Sequence, residues 1–117
     1  MSERPASERS SGEQTSGETA PPPDPQLLAE LFAVIEDRKE TKPADSYTAS
    51  LFADEKGENA VLEKLGEETT EVVLAAKDDD GEALAHEAAD LLYHLLVLLS
   101  MKDLDLEDLL TELESRR

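Results

Sequence analysis

The stretch from Leu91 to Leu99, LLYHLLVLL, decides the fold of this chain. It forms the second half of a segment, residues 82–101, whose apolar side chains recur as they do in an α-helix. Because the stretch is apolar on every side of that helix, it needs packing partners on every side. A single domain of this size buries too little surface to supply them all. We therefore predict an obligate homodimer or larger assembly, with this helix near the interface.

The rest of the chain carries helix signals and almost no strand signal, so the sequence predicts an all-α domain of four main helices and one short helix. The first helix is capped by Asp24, has Pro25 as its first residue and continues to about Lys39, before a loop over 41–45. A short helix follows, which is capped by Ser46, begins at Tyr47, reaches about Glu55 and is ended by Gly57. Two long helices run from about Asn59 to Lys77 and from about Glu82 to Met101. The last helix begins near Asp105, with Asp108 in the capping-box position.

Residues 1–23 differ in composition from the rest of the chain. They are rich in Ser, Glu, Gly, Thr and Pro and contain few apolar side chains. Such a segment cannot bury enough apolar surface to offset the entropy lost on ordering. We predict a disordered acidic tail over residues 1–23 and a folded domain over residues 24–117.

The net charge excludes several classes of function. The chain carries 29 Asp and Glu against 11 Lys and Arg, a formal net charge of −18. Nucleic acids and anionic membrane surfaces both require clustered basic residues, so we expect neither as a partner. No uninterrupted apolar run approaches the ~20 residues of a membrane span, and the N-terminus does not resemble a secretory signal. We expect a soluble cytoplasmic protein.

The same charge favours a high-salt setting. Self-repulsion on this scale opposes folding at low ionic strength, whereas the Debye length falls to ~3 Å at molar salt. The absence of cysteine excludes disulfides, thiolate metal sites and cysteine nucleophiles, and two histidines cannot form a three-histidine site. The net charge therefore supports the hypothesis of a halophilic protein.

Four carboxylates interrupt the apolar faces of the two longest predicted helices. Glu68 and Glu71, three residues apart, lie on or beside the stripe of one helix, and Glu87 and Asp90 repeat that spacing on the next. Ionised carboxylates are rarely buried unless they are paired or bind a metal. One interpretation is therefore a metal site; the other is that these acids sit at the edge of the stripe and face solvent.

The donor set decides which metal such a site would take. Four converging carboxylates repel one another, and a divalent cation removes that repulsion. Oxygen-only ligands suit Mg²⁺, with Mn²⁺ possible, and Mg²⁺ usually keeps open positions for water and substrate phosphates. The metal interpretation thus predicts metal-assisted phosphate chemistry, with a bound water as nucleophile and a glutamate as base.

The acidic blocks also carry a family resemblance. Residues 67–71 (EETTE) and 87–90 (EAAD) resemble the ExxE…ExxD signature of the all-α, MazG-like nucleotide pyrophosphohydrolases. Residues 64–77 (KLGEETTEVVLAAK), 86–99 (HEAADLLYHLLVLL), 35–39 (IEDRK) and 46–52 (SYTASLF) resemble the phosphoribosyl-ATP pyrophosphohydrolase family in particular. The resemblance extends over about residues 27–114 and implies a MazG-like helical bundle completed by dimerisation.

The resemblance implies roles for individual residues. Glu68, Glu71, Glu87 and Asp90 match the acids that bind Mg²⁺, and Glu67 takes a supporting role or that of the base, which makes Glu67 and Glu68 the predicted catalytic pair. The residues that match positions near the substrate are Arg38, Ser46, Tyr47, Thr48 and Lys64.

Each predicted substrate residue also has a structural interpretation. Lys64 can meet a substrate phosphate or pair with Glu68 one turn along the helix. Ser46 can be a simple N-cap and Tyr47 a core aromatic. His94 shares the face of Glu87 and Asp90, but a lone histidine there is more often a core residue than a ligand, so we do not include it in the site.

The implied reaction is hydrolysis of phosphoribosyl-ATP to phosphoribosyl-AMP and pyrophosphate, the second step of histidine biosynthesis. Ser50 departs from the pattern, because family members often carry Lys there. Two alternatives remain open from the sequence. One is a house-cleaning nucleoside-triphosphate pyrophosphatase of the same fold, and the other is a non-enzymatic helical dimerisation module.

Overall fold

The structure is a computed structural model that describes residues 22–117. Within these residues it contains five helices and no strand, which confirms the predicted all-α fold. The prediction of a disordered tail falls almost wholly on residues 1–21, outside the described residues. The helices are α1 (Leu27–Thr41), α2 (Tyr47–Ala53), α3 (Glu58–Lys77), α4 (Gly81–Met101) and α5 (Leu106–Glu114).

The start of α1 differs from the prediction. Asp24 and Pro25 form a turn ahead of the helix, and Gln26 occupies the N-cap position without a side-chain bond. The Asp24 carboxylate accepts from the Gln26 N–H at 2.8 Å, and its carbonyl accepts from the Leu27 N–H at 2.9 Å. Asp24 therefore satisfies the N–H groups of Gln26 and Leu27 from two residues ahead of the N-cap position.

The end of α2 and the role of Gly57 also differ from the prediction. Ser46 caps α2, since its hydroxyl accepts from the Ala49 N–H at 3.1 Å. The helix ends at Ala53, two residues before the predicted Glu55. Gly57 does not end it: with φ +64° this glycine occupies the N-cap position of α3. The left-handed backbone there favours glycine.

Helices α3 and α4 form an antiparallel hairpin through the turn at residues 78–80. Lys102 at the end of α4 pairs with Glu58 at the start of α3 (Nζ–Oε1 3.3 Å), and His94 contacts Glu68 further along. The residue numbers of the contacting side chains therefore decrease along α4 as they increase along α3, as expected for antiparallel helices. This pairing places the acidic faces of the two helices against each other.

The core lies between this hairpin, α1, α2 and α5. The buried apolar residues that form it are Phe32, Ile35, Leu51, Val61, Leu96, Val97 and Leu106. Polar contacts fix α1 to the end of α4: the Ser100 hydroxyl donates to Glu36 at 2.6 Å, and Lys39 donates to the Ser100 carbonyl at 2.7 Å. The last helix begins with the predicted capping box between Asp105 and Asp108.

Helix α4 is less covered than a core helix would be. It is long and apolar enough to cross a membrane by length and composition, and only a minor part of it is buried. The helix still contains no uninterrupted apolar run of ~20 residues, because Glu82, Glu87 and Asp90 interrupt it. Its acids Glu87 and Asp90 and its pairing with α3 agree with a helix of a packed bundle, and the absence of a membrane partner stays a prediction.

Candidate active site

Three helices meet at Glu68. This residue, in the middle of α3, has a side chain only 12% exposed, and its Oε1 lies 2.8 Å from Nδ1 of His94 on α4. The other ring nitrogen, Nε2, lies 3.0 Å from the hydroxyl of Tyr47 at the start of α2. Glu68 is therefore largely buried between the helices and does not face solvent at the edge of the stripe.

The remaining acids of the two motifs lie beside this contact. Burial and the neighbouring Glu71 carboxylate, followed by Asp90, raise the pKa of Glu87, while His86 opposes them. Glu71 acts on Glu87 across the α3–α4 hairpin. Burial of a carboxyl group and like charges held close to it both raise its pKa.

The donor set fits a hard divalent cation by its chemistry, because it consists of carboxylate oxygens under mutual repulsion. Among residues 22–117, however, no three Asp, Glu or His side chains are arranged closely enough to hold a metal as they stand. Glu68 is turned towards His94, whereas Glu71 and Asp90 act on Glu87. The metal role of all four stays a prediction.

We expect Glu87→Gln to raise the melting temperature of the metal-free protein at neutral pH. A raised pKa in the folded state means that folding disfavours the charged form of Glu87. This lowering of the free energy of unfolding is absent below the ordinary glutamate pKa of 4.5 and appears as the pH rises through the raised pKa of Glu87. Thermal unfolding with EDTA should therefore show a stabilised variant near ~pH 7 and no difference near ~pH 4.

Glu63→Gln is the matched control, since Glu63 is exposed on α3 and pairs with Lys56 at 2.9 Å. Its loss removes a favourable contact and should not stabilise the protein. Equal melting temperatures for Glu87→Gln and the original protein at both pH values would contradict the repulsion described above.

Two tyrosines line the approach to Glu68. Tyr47 and Tyr93 are stacked, with ring centroids 6.2 Å apart, and the Thr48 hydroxyl is hydrogen-bonded to that of Tyr93. Tyr47 is 53% exposed, so its interpretation as a core aromatic is wrong. Burial, followed by the charges of Glu68 and Asp90, raises the pKa of Tyr47. Its hydroxyl therefore keeps its proton.

The other predicted residues lie further from this contact. Glu67 is exposed, and Lys64 lies 4.0 Å from it rather than pairing with Glu68. Arg38 pairs with its neighbour Asp37 at 2.5 Å. Ser46 serves as the cap of α2, which leaves any substrate contact of its side chain a prediction.

His94 is the residue that the sequence interpretation leaves out and that the structure brings into the site. Its side chain is 5% exposed, and both ring nitrogens contact predicted site residues. The available signal is its spacing, because His94 lies one turn after Asp90 on the acidic face of α4. Nothing in that spacing identifies partners on other helices.

Known proteins resemble this chain over its whole described domain. The family model for phosphoribosyl-ATP pyrophosphohydrolase matches residues 28–117. The phosphoribosyl-ATP pyrophosphatase of Haloarcula marismortui is 74% identical over 91 residues, which cover 78% of this chain and 93% of that protein. Its counterpart from Halobacterium salinarum is 67% identical over 91 residues, covering 77% of this chain and 96% of that protein.

A longer relative shows the same similarity. The histidine biosynthesis bifunctional protein HisIE of a Nostoc species is 46% identical over 110 residues, which cover 94% of this chain and 50% of that protein. The matched region contains both acidic blocks of the hairpin and the α2 segment with Tyr47. The chain belongs to the phosphoribosyl-ATP pyrophosphohydrolase family.

Proposed function

We propose that this protein hydrolyses phosphoribosyl-ATP to phosphoribosyl-AMP and pyrophosphate, in histidine biosynthesis. The observation that carries the proposal is the match of residues 28–117 to the family model. The site agrees with it, because acids from two helices lie beside an exposed aromatic and a threonine. Family membership makes the protein a hydrolase and leaves the dimerisation-module alternative without support.

The acids Glu68, Glu71, Glu87 and Asp90 would hold the divalent cation, Mg²⁺ or Mn²⁺. When bound, such a cation neutralises charge on the triphosphate and makes a coordinated water more acidic. Burial and the charges of Glu71 and Asp90 raise the pKa of Glu87, and this supports the assignment, since a cation would relieve the repulsion.

The protein's own side chains provide the remaining functions. Water adds across the α–β phosphoanhydride, the P–O bond to the leaving pyrophosphate breaks, and a glutamate accepts the water's proton. Glu68 is the better placed of the two predicted bases, because Glu67 is turned outward towards Lys64. Tyr47 and Thr48 would contact the substrate at the start of α2, with Lys64, Arg38 and Ser46 as further predicted contacts.

A substrate panel tests this proposal against the house-cleaning alternative. We expect the protein with Mg²⁺ to release pyrophosphate from phosphoribosyl-ATP faster than from dUTP or dCTP. The family match predicts this preference, since the acids alone would serve any nucleoside triphosphate. Faster turnover of dUTP or dCTP would overturn the assignment.

The site is proposed to be completed in a homodimer. Ala85, Ala88, Ala89 and Leu92 are exposed and recur along one face of α4. On α3, Leu62, Gly66 and Val73 are exposed along another face, and a Cβ at Gly66 would meet nothing within 4 Å. Small apolar residues allow two helices to approach closely, so a second copy of the chain is the occupant we propose.

We expect Leu92→Glu to convert the dimer into a monomer. The added charge would be buried against the partner, and burying an unpaired carboxylate is costly. Light scattering at matched protein and salt concentrations should show the mass fall by half, while Leu92→Met, which keeps an apolar side chain of similar volume, remains dimeric. A monomeric original protein or a dimeric Leu92→Glu would contradict the proposal.

A cytoplasmic location and a high-salt setting complete the proposal. The haloarchaeal origin of the relatives from Haloarcula and Halobacterium supports the halophilic interpretation of the charge. A cytoplasmic location agrees with a biosynthetic enzyme acting on a nucleotide.

A further inference from the structure

His94 is buried in the helical bundle and makes three polar contacts. Its Nδ1 lies 2.8 Å from Oε1 of Glu68 and 3.0 Å from the carbonyl oxygen of Asp90, on its own helix. Its Nε2 lies 3.0 Å from the Tyr47 hydroxyl. The ring also packs edge-on against the rings of Tyr47 and Tyr93. Such a ring has little freedom to turn.

The partners determine the tautomer of the neutral ring. A carboxylate oxygen and a carbonyl oxygen are both acceptors, so Nδ1 must carry the hydrogen. Nε2 is then an acceptor, and the Tyr47 hydroxyl donates to it. The raised pKa of Tyr47 agrees with a hydroxyl that keeps its proton. Every polar atom of the imidazole is thus paired within the protein.

This arrangement links two parts of the site that lie on different helices. Glu68 on α3 is a predicted metal ligand and base, and Tyr47 on α2 is a predicted substrate contact. The hydrogen bond from Nδ1 occupies one side of Oε1 and fixes the carboxylate, which leaves Oε2 for another ligand. Partners that orient a metal-binding carboxylate in this way strongly affect metal affinity.

We propose that His94 is a positioning residue, which orients Glu68 for the metal through Nδ1 and Tyr47 for the substrate through Nε2. This inference rests on the proposed function for its second half, because only a nucleotide substrate gives Tyr47 its role. The first half concerns the protein and a metal alone. His94 itself touches neither substrate nor metal.

Two substitutions separate the halves. An Asn amide reaches where Nδ1 lies, so His94→Asn retains a donor for Glu68 and loses the acceptor for Tyr47. A Gln amide reaches where Nε2 lies, so His94→Gln retains the acceptor for Tyr47 and loses the donor for Glu68. Each variant is the matched control of the other, and Tyr47→Phe removes the hydroxyl alone.

The first measurement is Mn²⁺ binding to the metal-free full-length protein, followed by electron paramagnetic resonance of free Mn²⁺. We expect His94→Gln to weaken binding by about 10- to 100-fold, the usual effect of losing such a partner. His94→Asn and Tyr47→Phe should retain most of the original affinity. Equal Mn²⁺ affinity of folded His94→Gln and the original protein would overturn the inference.

The second measurement is the steady-state hydrolysis of phosphoribosyl-ATP. We expect His94→Asn and Tyr47→Phe to raise KM more than they lower kcat, because the substrate contact is displaced while the acids stay in place. A change in kcat alone would overturn the role assigned to Nε2. If the original protein released no pyrophosphate, the proposed function would fail, while the Mn²⁺ measurement would still decide the role of Nδ1.

The original protein provides a test that needs no folded variant. Its two histidines give two ring systems in long-range ¹H–¹⁵N spectra, and His86 is exposed whereas His94 is buried. At a pH where both rings are neutral, we expect the buried ring to carry its hydrogen on Nδ1, the less common tautomer of free histidine. A hydrogen on Nε2 would overturn the proposal.

Discussion

Glu71→Gln or Asp90→Asn should lower kcat/KM for phosphoribosyl-ATP by about 100-fold or more. Each change removes one charged oxygen ligand while keeping the shape of the side chain. A metal that neutralises charge in the transition state supplies several kcal/mol, and each 1.4 kcal/mol changes the rate tenfold. Pyrophosphate release at equal, limiting Mg²⁺ concentrations measures the loss, and excess Mg²⁺ should restore only part of it.

The same Glu-to-Gln change at Glu63 is the control for this prediction. Glu63 is exposed on α3 as well, and it pairs with Lys56. We expect Glu63→Gln to retain nearly all activity, since surface ion pairs contribute little. If Glu71→Gln and Asp90→Asn were also nearly fully active, the acidic faces of α3 and α4 would not form the site.

Lowering the KCl concentration should unfold the protein. The formal net charge is −18, and the energy of its self-repulsion falls as salt shortens the Debye length from about 10 Å at 0.1 M to about 3 Å at 1 M. We expect the helical signal in circular dichroism, and the melting temperature with it, to rise steeply between these concentrations. Complete folding with a constant melting temperature would contradict the halophilic interpretation.

The turn between α3 and α4 offers a matched variant for the salt experiment. Asp78 and Asp79 are exposed, and Asp79 has φ +54°, a conformation that Asn adopts readily. Replacing both by Asn removes two charges while leaving Asp80 to cap α4. This variant should fold at lower KCl than the original protein. An unchanged salt requirement would show that repulsion in this turn does not oppose folding.

The helices of the hairpin could be predicted within one residue at each end. Helix α3 begins at Glu58 and α4 at Gly81, against predicted starts at Asn59 and Glu82. Capping and the aspartates of the turn are local signals, so they are visible in the sequence. The end of α2 and the start of α1 differ more, because there a neighbouring turn supplies the backbone hydrogen bonds.

The site could be predicted only in part. Spacing along one helix shows that Glu68 and Glu71, or Glu87 and Asp90, can share a face. It does not show which side chains meet between helices, and so His94 could not be assigned. Its contacts with Glu68 and Tyr47 join positions 26 and 47 residues away. These contacts depend on the register of the hairpin and on how α2 packs against it.

Pyrophosphate release from phosphoribosyl-ATP, measured in high KCl with Mg²⁺ and again with EDTA, tests the central claim most directly. The account predicts equal amounts of pyrophosphate and phosphoribosyl-AMP in the presence of Mg²⁺, with hydrolysis abolished by EDTA and restored by added Mg²⁺ or Mn²⁺. Release of inorganic phosphate instead, hydrolysis that persists with EDTA, or no hydrolysis by the folded protein would contradict it.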